Sequence, residues 1–313
     1  MRIGIYKDTL ANKRGADVAV TLLADGLKER GHDTVLFEKN ELDGRLGETW
    51  DAIISAGTNE LLDLSGRTAA PVIQQFHTNP ESQFKWKRFL RNRRIRRALR
   101  LVAAIQVLRE EHAAQMLRYG VKVATIGNWS TYDDADTSVP SGCDIETRTI
   151  LYPAAFSKSK NHKLLLKAFS SLRNEFPDWT LELYGGGTFS GKIPANVKIM
   201  PHGDLREAYS RCAFLAFPSL DEGFGLVIAE AASFSKPAVA LHDWIGTAGA
   251  GGAVIAPANA KNYAQALARL MRDARLRRQL GEKARIYCRK TYSRDNILEA
   301  WEKLILSSIR KSI

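Results

Sequence analysis

The sequence predicts an α/β protein of two tandem, doubly wound Rossmann-like domains with an interdomain cleft. Three observations predict it. Short apolar runs alternate with amphipathic segments along the first 130 or so residues, the pattern then breaks, and it restarts near residue 149. Strands alternating with helices argue for a parallel sheet covered on both faces. A second such series, after a polar interruption, argues for a second sheet.

In the first series, Arg2–Tyr6 reads as a strand. Ala16–Arg30 carries Val18, Leu22, Leu23 and Leu27 at helical spacing and stops at Gly31. Strands follow at Thr34–Phe37, Ala52–Ser55 and Pro71–Phe76, then a long basic helix, then a strand at Leu101–Val107. Glu110–Tyr119 reads as a helix stopped by Gly120, and Val121–Ile126 as a strand. The polar, aperiodic stretch from Ser130 to Thr147 reads as a linker.

In the second series, strands are expected at Thr149–Tyr152, Thr180–Tyr184, Val197–Met200, Phe214–Phe217 and Ala238–Leu241. Helices are expected at His162–Asn174, Leu205–Arg211, Leu226–Ser233, Tyr263–Asp273, Arg275–Tyr292 and Asp295–Ile309. The division is a first domain over 1–145, a second over 146–292, and a last helix, 293–313, crossing back to the first. Open sheets of this kind bind ligands outside the carboxyl ends of their strands, which places the expected site in the cleft.

Composition narrows the class. The chain is 45% hydrophobic and 26% charged, which is globular. Cys143, Cys212 and Cys288 show no paired spacing, which argues against a disulfide framework or zinc site and for a reducing compartment. The N-terminus reads as a strand and not a signal peptide. No apolar run approaches the roughly 20 residues that span a bilayer. The expectation is a cytoplasmic protein, or one peripheral on the inner face of the cytoplasmic membrane.

The net charge of +12 is concentrated: Lys85, Lys87, Arg88, Arg91, Arg93, Arg94, Arg96, Arg97 and Arg100 lie in one segment, with no acid between Glu81 and Glu110. Phe84, Ile95 and Leu99 share one helical stripe that packs inward. Trp86, Phe89 and Leu90 fall opposite, among the arginines. Exposed apolar and basic side chains together suit an anionic membrane surface, and a buried, broken helix with a solvated charge run is the alternative. No nucleic-acid module surrounds the cluster, so nucleic acid is not an expected partner.

The chemistry is concentrated in Phe217-Pro-Ser-Leu-Asp-Glu-Gly-Phe-Gly-Leu-Val-Ile-Ala-Glu230. A strand ends, a loop with two glycines follows, and a helix opens near Leu226. Gly223 and Gly225 let backbone N–H groups approach a ligand. The helix N-terminus adds free donors and partial positive charge, together an anion site. Glu222 precedes the helix and Glu230 lies about one turn inside it. One carboxylate near an anion and a second beyond it suit a sugar–diphosphate–ribose. A plain strand-to-helix turn with an ordinary surface glutamate is the bland alternative.

This segment resembles the Glu-x7-Glu signature of retaining nucleotide-sugar glycosyltransferases of GT-B fold, the group 1 or family 4 type. The resemblance extends to Lys236-Pro-Ala-Val-Ala240, to Thr149-Ile-Leu-Tyr-Pro-Ala-Ala-Phe-Ser-Lys-Ser-Lys-Asn-His162, and to Trp179-Thr-Leu-Glu-Leu-Tyr-Gly-Gly-Gly187. It is looser at Lys28-Glu-Arg-Gly-His32, Gln75-Phe-His-Thr78 and Ile126-Gly-Asn128. The resemblance implies a hexosyl transfer, independent of metal and without any other cofactor, from a nucleoside-diphosphate sugar to a glycan or glycolipid of the bacterial-type cell surface. It implies that Glu222 contacts hydroxyls of the donor sugar and Glu230 the ribose. Lys160 would stabilise the departing diphosphate, and the backbone of Gly223, Phe224 and Gly225 would face sugar and phosphate. His77 would reach the sugar from the first domain. Two positions depart from the family: Ala155 stands where an arginine precedes the phosphate lysine, and Arg14-Gly15 stands where a Gly-Gly pair is usual. Gly15 keeps the donor-side position, with Arg14 placed to reach the phosphates. These departures leave open a nucleotide-sugar-binding protein without transfer activity. A basic membrane-surface module is the other alternative.

Three decoys are set aside. Asp134-Ala-Asp136 has metal-motif spacing but lies in the linker. The glycines of Gly185–Gly191 run into Lys192-Ile-Pro194, which does not open the helix a dinucleotide fingerprint needs. His32, His112, His162 and His242 read as structural or exposed, and His202 falls near the family's base-binding loop.

Overall fold

The computed structural model describes residues 1–11, 15–84, 88–133, 147–187, 189, 191–201 and 203–309. Arg14, Lys85, Trp86, Lys87, Asp134, Asp136, Cys143, His202 and most of the expected linker lie outside them. The chain divides into two compact units: Met1–Thr131 together with the segment from Arg294 onward, and Tyr132–Ser293.

The first unit contains β1 (Arg2–Tyr6), α1 (Gly15–Glu29), β2 (Asp33–Phe37), α2 (Leu42–Arg45), β3 (Ala52–Ser55), α3 (Thr58–Leu64), β4 (Val72–Gln75), α4 (Phe89–Ala98), β5 (Ala104–Val107), α5 (Glu110–Met116) and β6 (Lys122–Thr125). The strands form one parallel sheet in the order β2-β1-β3-β4-β5-β6. Its strands read as continuous apolar runs because helices cover both faces; Ala52, Ile53, Ile54 and Ser55 are all fully buried. A parallel stack of Tyr6, Phe37 and Trp50 fills one part of the core. Phe76, Ile95, Leu99, Ile105 and Met116 fill another. Gly120 takes the left-handed conformation that ends the helical turn after α5.

The second unit contains β7 (Thr149–Pro153), α6 (His162–Ser171), β8 (Thr180–Tyr184), β9 (Val197–Met200), α7 (Arg206–Arg211), β10 (Phe214–Phe217), α8 (Leu226–Ser233), β11 (Ala238–Ala240), β12 (Ala253–Ile255), α9 (Ala260–Arg272) and α10 (Ala274–Tyr292). Its sheet is also parallel, in the order β12-β11-β10-β7-β8-β9.

The last helix, α11 (Arg294–Ile309), belongs to the first unit. Ile297, Leu298, Trp301, Leu304 and Ile305 are buried. Leu298 lies so close to Gly26 of α1 that a Cβ there would meet its Cδ2 at 2.8 Å. Arg30 pairs with Asp295 and Glu302, and His32 Nε2 lies 2.9 Å from Glu302.

The architecture is therefore two Rossmann-like domains, and the structure adds elements that the sequence pattern missed. α2 and α3 are too short to show a helical period, and β12 is three residues long. The strand expected from Leu101 starts at Ala104, and Leu101 itself is exposed in the preceding turn. Among the described residues the basic helix is ten residues long. Ile95 and Leu99 are fully buried and Phe89 and Leu90 exposed, as expected; Phe84 packs on the same core but lies outside the helix, after the preceding turn. No helix among the described residues is long and apolar enough to cross a membrane.

Candidate functional site

In the second sheet the chain runs from β7 outward through β8 and β9, then returns to the other side of β7 with β10, β11 and β12. The loops leaving β7 and β10 therefore diverge, and the carboxyl ends of these two strands mark the topological switch point, where such sheets open a crevice.

The loop after β7 is held against the end of β8. The Ala154 N–H donates to Tyr184 O at 2.7 Å and the Phe156 N–H to Gly186 O at 3.1 Å. Gly185 permits this approach, since a Cβ on it would lie 2.1 Å from Ala154 O. The Tyr152 hydroxyl donates to Lys160 O at 2.6 Å, and Asn161, left-handed at φ 54°, turns the chain into α6. The loop after β10 is tied to this one: the Leu220 N–H donates to Ser159 O at 2.8 Å.

Between the two loops, Lys160 Nζ lies 2.5 Å from Glu222 Oε1. The pair joins two of the residues singled out in the sequence, and both side chains retain some exposure. Gly223 and Phe224 are buried, and the Phe224 ring packs edge-on against Tyr292 at 5.0 Å. The Phe224 side chain is thereby committed to the interior. Gly225 precedes α8 at φ 96°, and a Cβ there would also press on Trp244 at 3.2 Å. No side chain caps α8 and no acid lies in its first turn, so the donors and partial charge of its N-terminus are uncompensated by side chains.

Glu230 lies further along α8 and is buried. The hydroxyl of Tyr209, on α7, donates to its Oε2 at 2.7 Å. Burial first, and then the Glu230 charge, push the Tyr209 hydroxyl well above the usual phenol range, so it remains a donor. Sequence reading missed Tyr209. No local motif marks it, and only the packing of α7 on α8 brings it to the carboxylate.

His162 is buried between Tyr152 and Phe156, with ring centroids 4.9 Å from each. Burial lowers its pKa to about 4 against the opposing hydrogen bond to the Ala154 backbone, with a smaller lowering by Lys160, so it is neutral. Ala155 is exposed in the loop that carries Lys160.

In the first unit the switch point falls between β1 and β3. Lys7, just past β1, pairs with Glu60 of α3 at 2.9 Å, and the Asp8 N–H donates to the same carboxylate oxygen at 3.1 Å. Both of these residues were absent from the sequence-level candidates. His77 follows β4. Its ring nitrogens are inaccessible and have no hydrogen-bond partner among the described residues. Burial, then the Lys7 ammonium, lowers its pKa to about 4 against a smaller opposing effect of Glu60, so His77 too is neutral. Gly15 opens α1, and a Cβ on it would meet nothing within 4 Å among the described residues. Nothing in its packing demands glycine.

Phe89, Leu90 and Leu101 are 70%, 74% and 79% exposed, the three most exposed large apolar side chains among the described residues. Arg88, Arg93, Arg94, Arg96, Arg97 and Arg100 are exposed beside them. Arg91 turns inward instead and donates to Thr58 Oγ1 and Asn59 Oδ1. No group of three or more His, Cys, Asp or Glu among the described residues could hold a metal ion.

Residues 137–287 match the family model described as glycosyl transferases group 1. Over 184 residues, 54% of this chain, the sequence is 30% identical to a poly(glycerol-phosphate) alpha-glucosyltransferase of Bacillus subtilis, of which it covers 27%. Over 180 residues, 52% of this chain, it is 27% identical to an exopolysaccharide phosphotransferase of Streptomyces coelicolor, of which it covers 19%. The chain thus spans much less than the full length of these curated relatives. HepE of Anabaena, in a crystal structure with UDP-glucose, superposes with a TM-score of 0.75 over 97% of this chain and 99% of its own, at 14% identity. Residues 137–287 thus match the group 1 glycosyl transferases, and the two Rossmann-like sheets share the GT-B fold of the structure they superpose on.

Proposed function

We propose that this protein is a retaining, metal-independent hexosyltransferase that moves a sugar from a nucleoside-diphosphate sugar to a cell-surface glycan or glycolipid. The observation that carries the reading is the meeting of Lys160 and Glu222 at the switch point of the second sheet, beside the bare N-terminus of α8. Glycosyl transfer builds positive charge on the sugar and negative charge on the leaving diphosphate. The Lys160 ammonium and the α8 N–H groups stabilise the diphosphate. Glu222 accepts hydrogen bonds from sugar hydroxyls, and Glu230 from the ribose. The Gly223, Phe224 and Gly225 backbone lines the sugar and phosphate. The UDP-glucose held by HepE supports a nucleotide-sugar donor. The names of the two relatives support an acceptor among surface polymers.

The exposed face of α4 is proposed to rest on an anionic membrane surface at the cytoplasmic side, where a lipid-linked acceptor is presented. Phe89 and Leu90 among the exposed arginines of α4, with Arg88, Arg100 and Leu101 flanking the helix, supply both insertion and charge.

A thermal-shift screen of UDP, GDP, ADP and their sugars, repeated on Glu230→Ala, tests the donor site: the shift is expected to vanish in the variant, and a full shift there contradicts the assignment. Transfer in the presence of EDTA, with the anomeric configuration of the product read by NMR, tests the remainder. A second reading, donor binding without transfer, is favoured by Ala155, which brings no charge to the phosphate loop. Nucleotide binding without donor turnover would establish it.

A further inference from the structure

Tyr209 is held between two aromatic rings. Its ring stacks on Phe234 at 5.8 Å with the planes 10° apart, and meets the Tyr132 ring edge-on at 5.7 Å. Tyr132 also packs edge-on against Phe234 at 5.5 Å. Tyr132 is itself held at the start of α7: the Leu205 N–H donates to its hydroxyl at 3.0 Å, and that hydroxyl donates to Asp204 Oδ1 at 2.9 Å. The Arg206 N–H donates to the same Asp204 oxygen at 2.9 Å. Rings packed this way leave the Tyr209 hydroxyl one position, and at that position it donates to Glu230 Oε2.

A carboxylate on the three torsions of a glutamate can turn to suit whatever donors it meets. It offers about four acceptor sites, so one tyrosine hydroxyl orients it without exhausting it. A ribose presents two neighbouring hydroxyls, a 2′-deoxyribose only one. A carboxylate of fixed plane discriminates between them, because the missing hydroxyl leaves a buried acceptor position unmet. A carboxylate free to turn re-aims at the remaining hydroxyl and discriminates less.

We propose that Tyr209 is a positioning residue for Glu230 and, through it, sets the preference of the donor site for ribonucleoside over 2′-deoxyribonucleoside diphosphates. This rests on the reading that Glu230 takes the ribose hydroxyls. The fully buried ring and the burial of the carboxylate it serves place the interaction where a charge-assisted hydrogen bond is strong.

The test is calorimetric titration of the full chain with UDP, GDP and ADP and with dUDP, dGDP and dADP, for the wild type, Tyr209→Phe and Glu230→Ala. Tyr209→Phe keeps the ring on Phe234 and removes only the donor, and its melting temperature verifies that it folds. The wild type is expected to prefer the ribonucleotide of its cognate base by about tenfold or more. Tyr209→Phe is expected to lose about tenfold on that ribonucleotide while the deoxynucleotide changes little, so that the ratio falls toward one. An unchanged ratio in Tyr209→Phe, with binding lost in Glu230→Ala, overturns the role of Tyr209 and leaves the ribose reading standing. Undiminished binding in Glu230→Ala, or a wild type that binds none of the six, overturns the ribose reading and the proposal with it.

Discussion

Lys160 Nζ and Glu222 Oε1 meet at 2.5 Å between the loops that leave β7 and β10. The carboxylate holds the ammonium, and on the proposed function a donor's diphosphate has to compete for it. Lys160→Ala is expected to lower kcat/KM by about 10²–10³, the loss typical of one preorganised electrostatic group. It should also weaken inhibition by the nucleoside diphosphate product. Steady-state kinetics with product inhibition checks both, and a loss confined to KM for the acceptor would contradict the role.

Two histidines give the protein a pH-dependent stability of known sign. His77 and His162 have folded pKa values of about 4, below the usual 6.5. As the pH falls below about 6.5 the unfolded chain takes up protons that the native state refuses until about 4. Stability is therefore full above the unfolded pKa and declines between pH 6.5 and 4. In His162→Phe, which keeps an aromatic ring beside Tyr152 and Phe156, the decline is expected to be shallower. Thermal melts across that range measure it, and an unaltered slope would count against the burial argument.

Gly185 is the contact through which β8 sets the loop that carries Lys160. A methyl group there would fall 2.1 Å from Ala154 O and 3.2 Å from Ala155 Cα, both backbone atoms. Gly185→Ala must push residues 154–156 away and carry Lys160 with them. The expected costs are about 1–3 kcal/mol in stability and about tenfold in nucleoside diphosphate affinity. Denaturant unfolding and calorimetry check the two together.

On α4, replacing Arg93, Arg94 and Arg97 by Gln, or Phe89 and Leu90 by Ser, changes only exposed side chains. Each set is expected to reduce flotation with phosphatidylserine-containing vesicles, the arginine set by roughly 1 kcal/mol per charge, while leaving the nucleotide thermal shift intact. Vesicle binding equal to the wild type would remove α4 from the membrane reading.

The parallel strands were legible because both faces of each are buried: Phe214, Leu215, Ala216 and Phe217 form an unbroken apolar run, and all four are inaccessible. The loop between β10 and α8 was legible because its glycines, its carboxylates and the helix start are neighbours in sequence. What stayed hidden depends on which strands become neighbours. Lys160 and Glu222 are 62 residues apart, Lys7 and Glu60 53, and Tyr209 and Glu230 21. Each pair meets only once a crossover has placed its strands or helices. The short α3 escaped notice for a related reason: seven residues span barely two turns, and Glu60, on its inner face, is an acid where a core residue was expected.

The return of α11 to the first unit has a consequence for the order of events during synthesis. The groove on α1 that receives Leu298 at Gly26, and the partners of Arg30 and His32, are complete only after residues 294–309 have left the ribosome. By then every residue of the second unit has emerged. The first unit is thus begun before the second and finished after it, and its apolar α1 face waits, open to chaperones and proteases, for α11 to arrive.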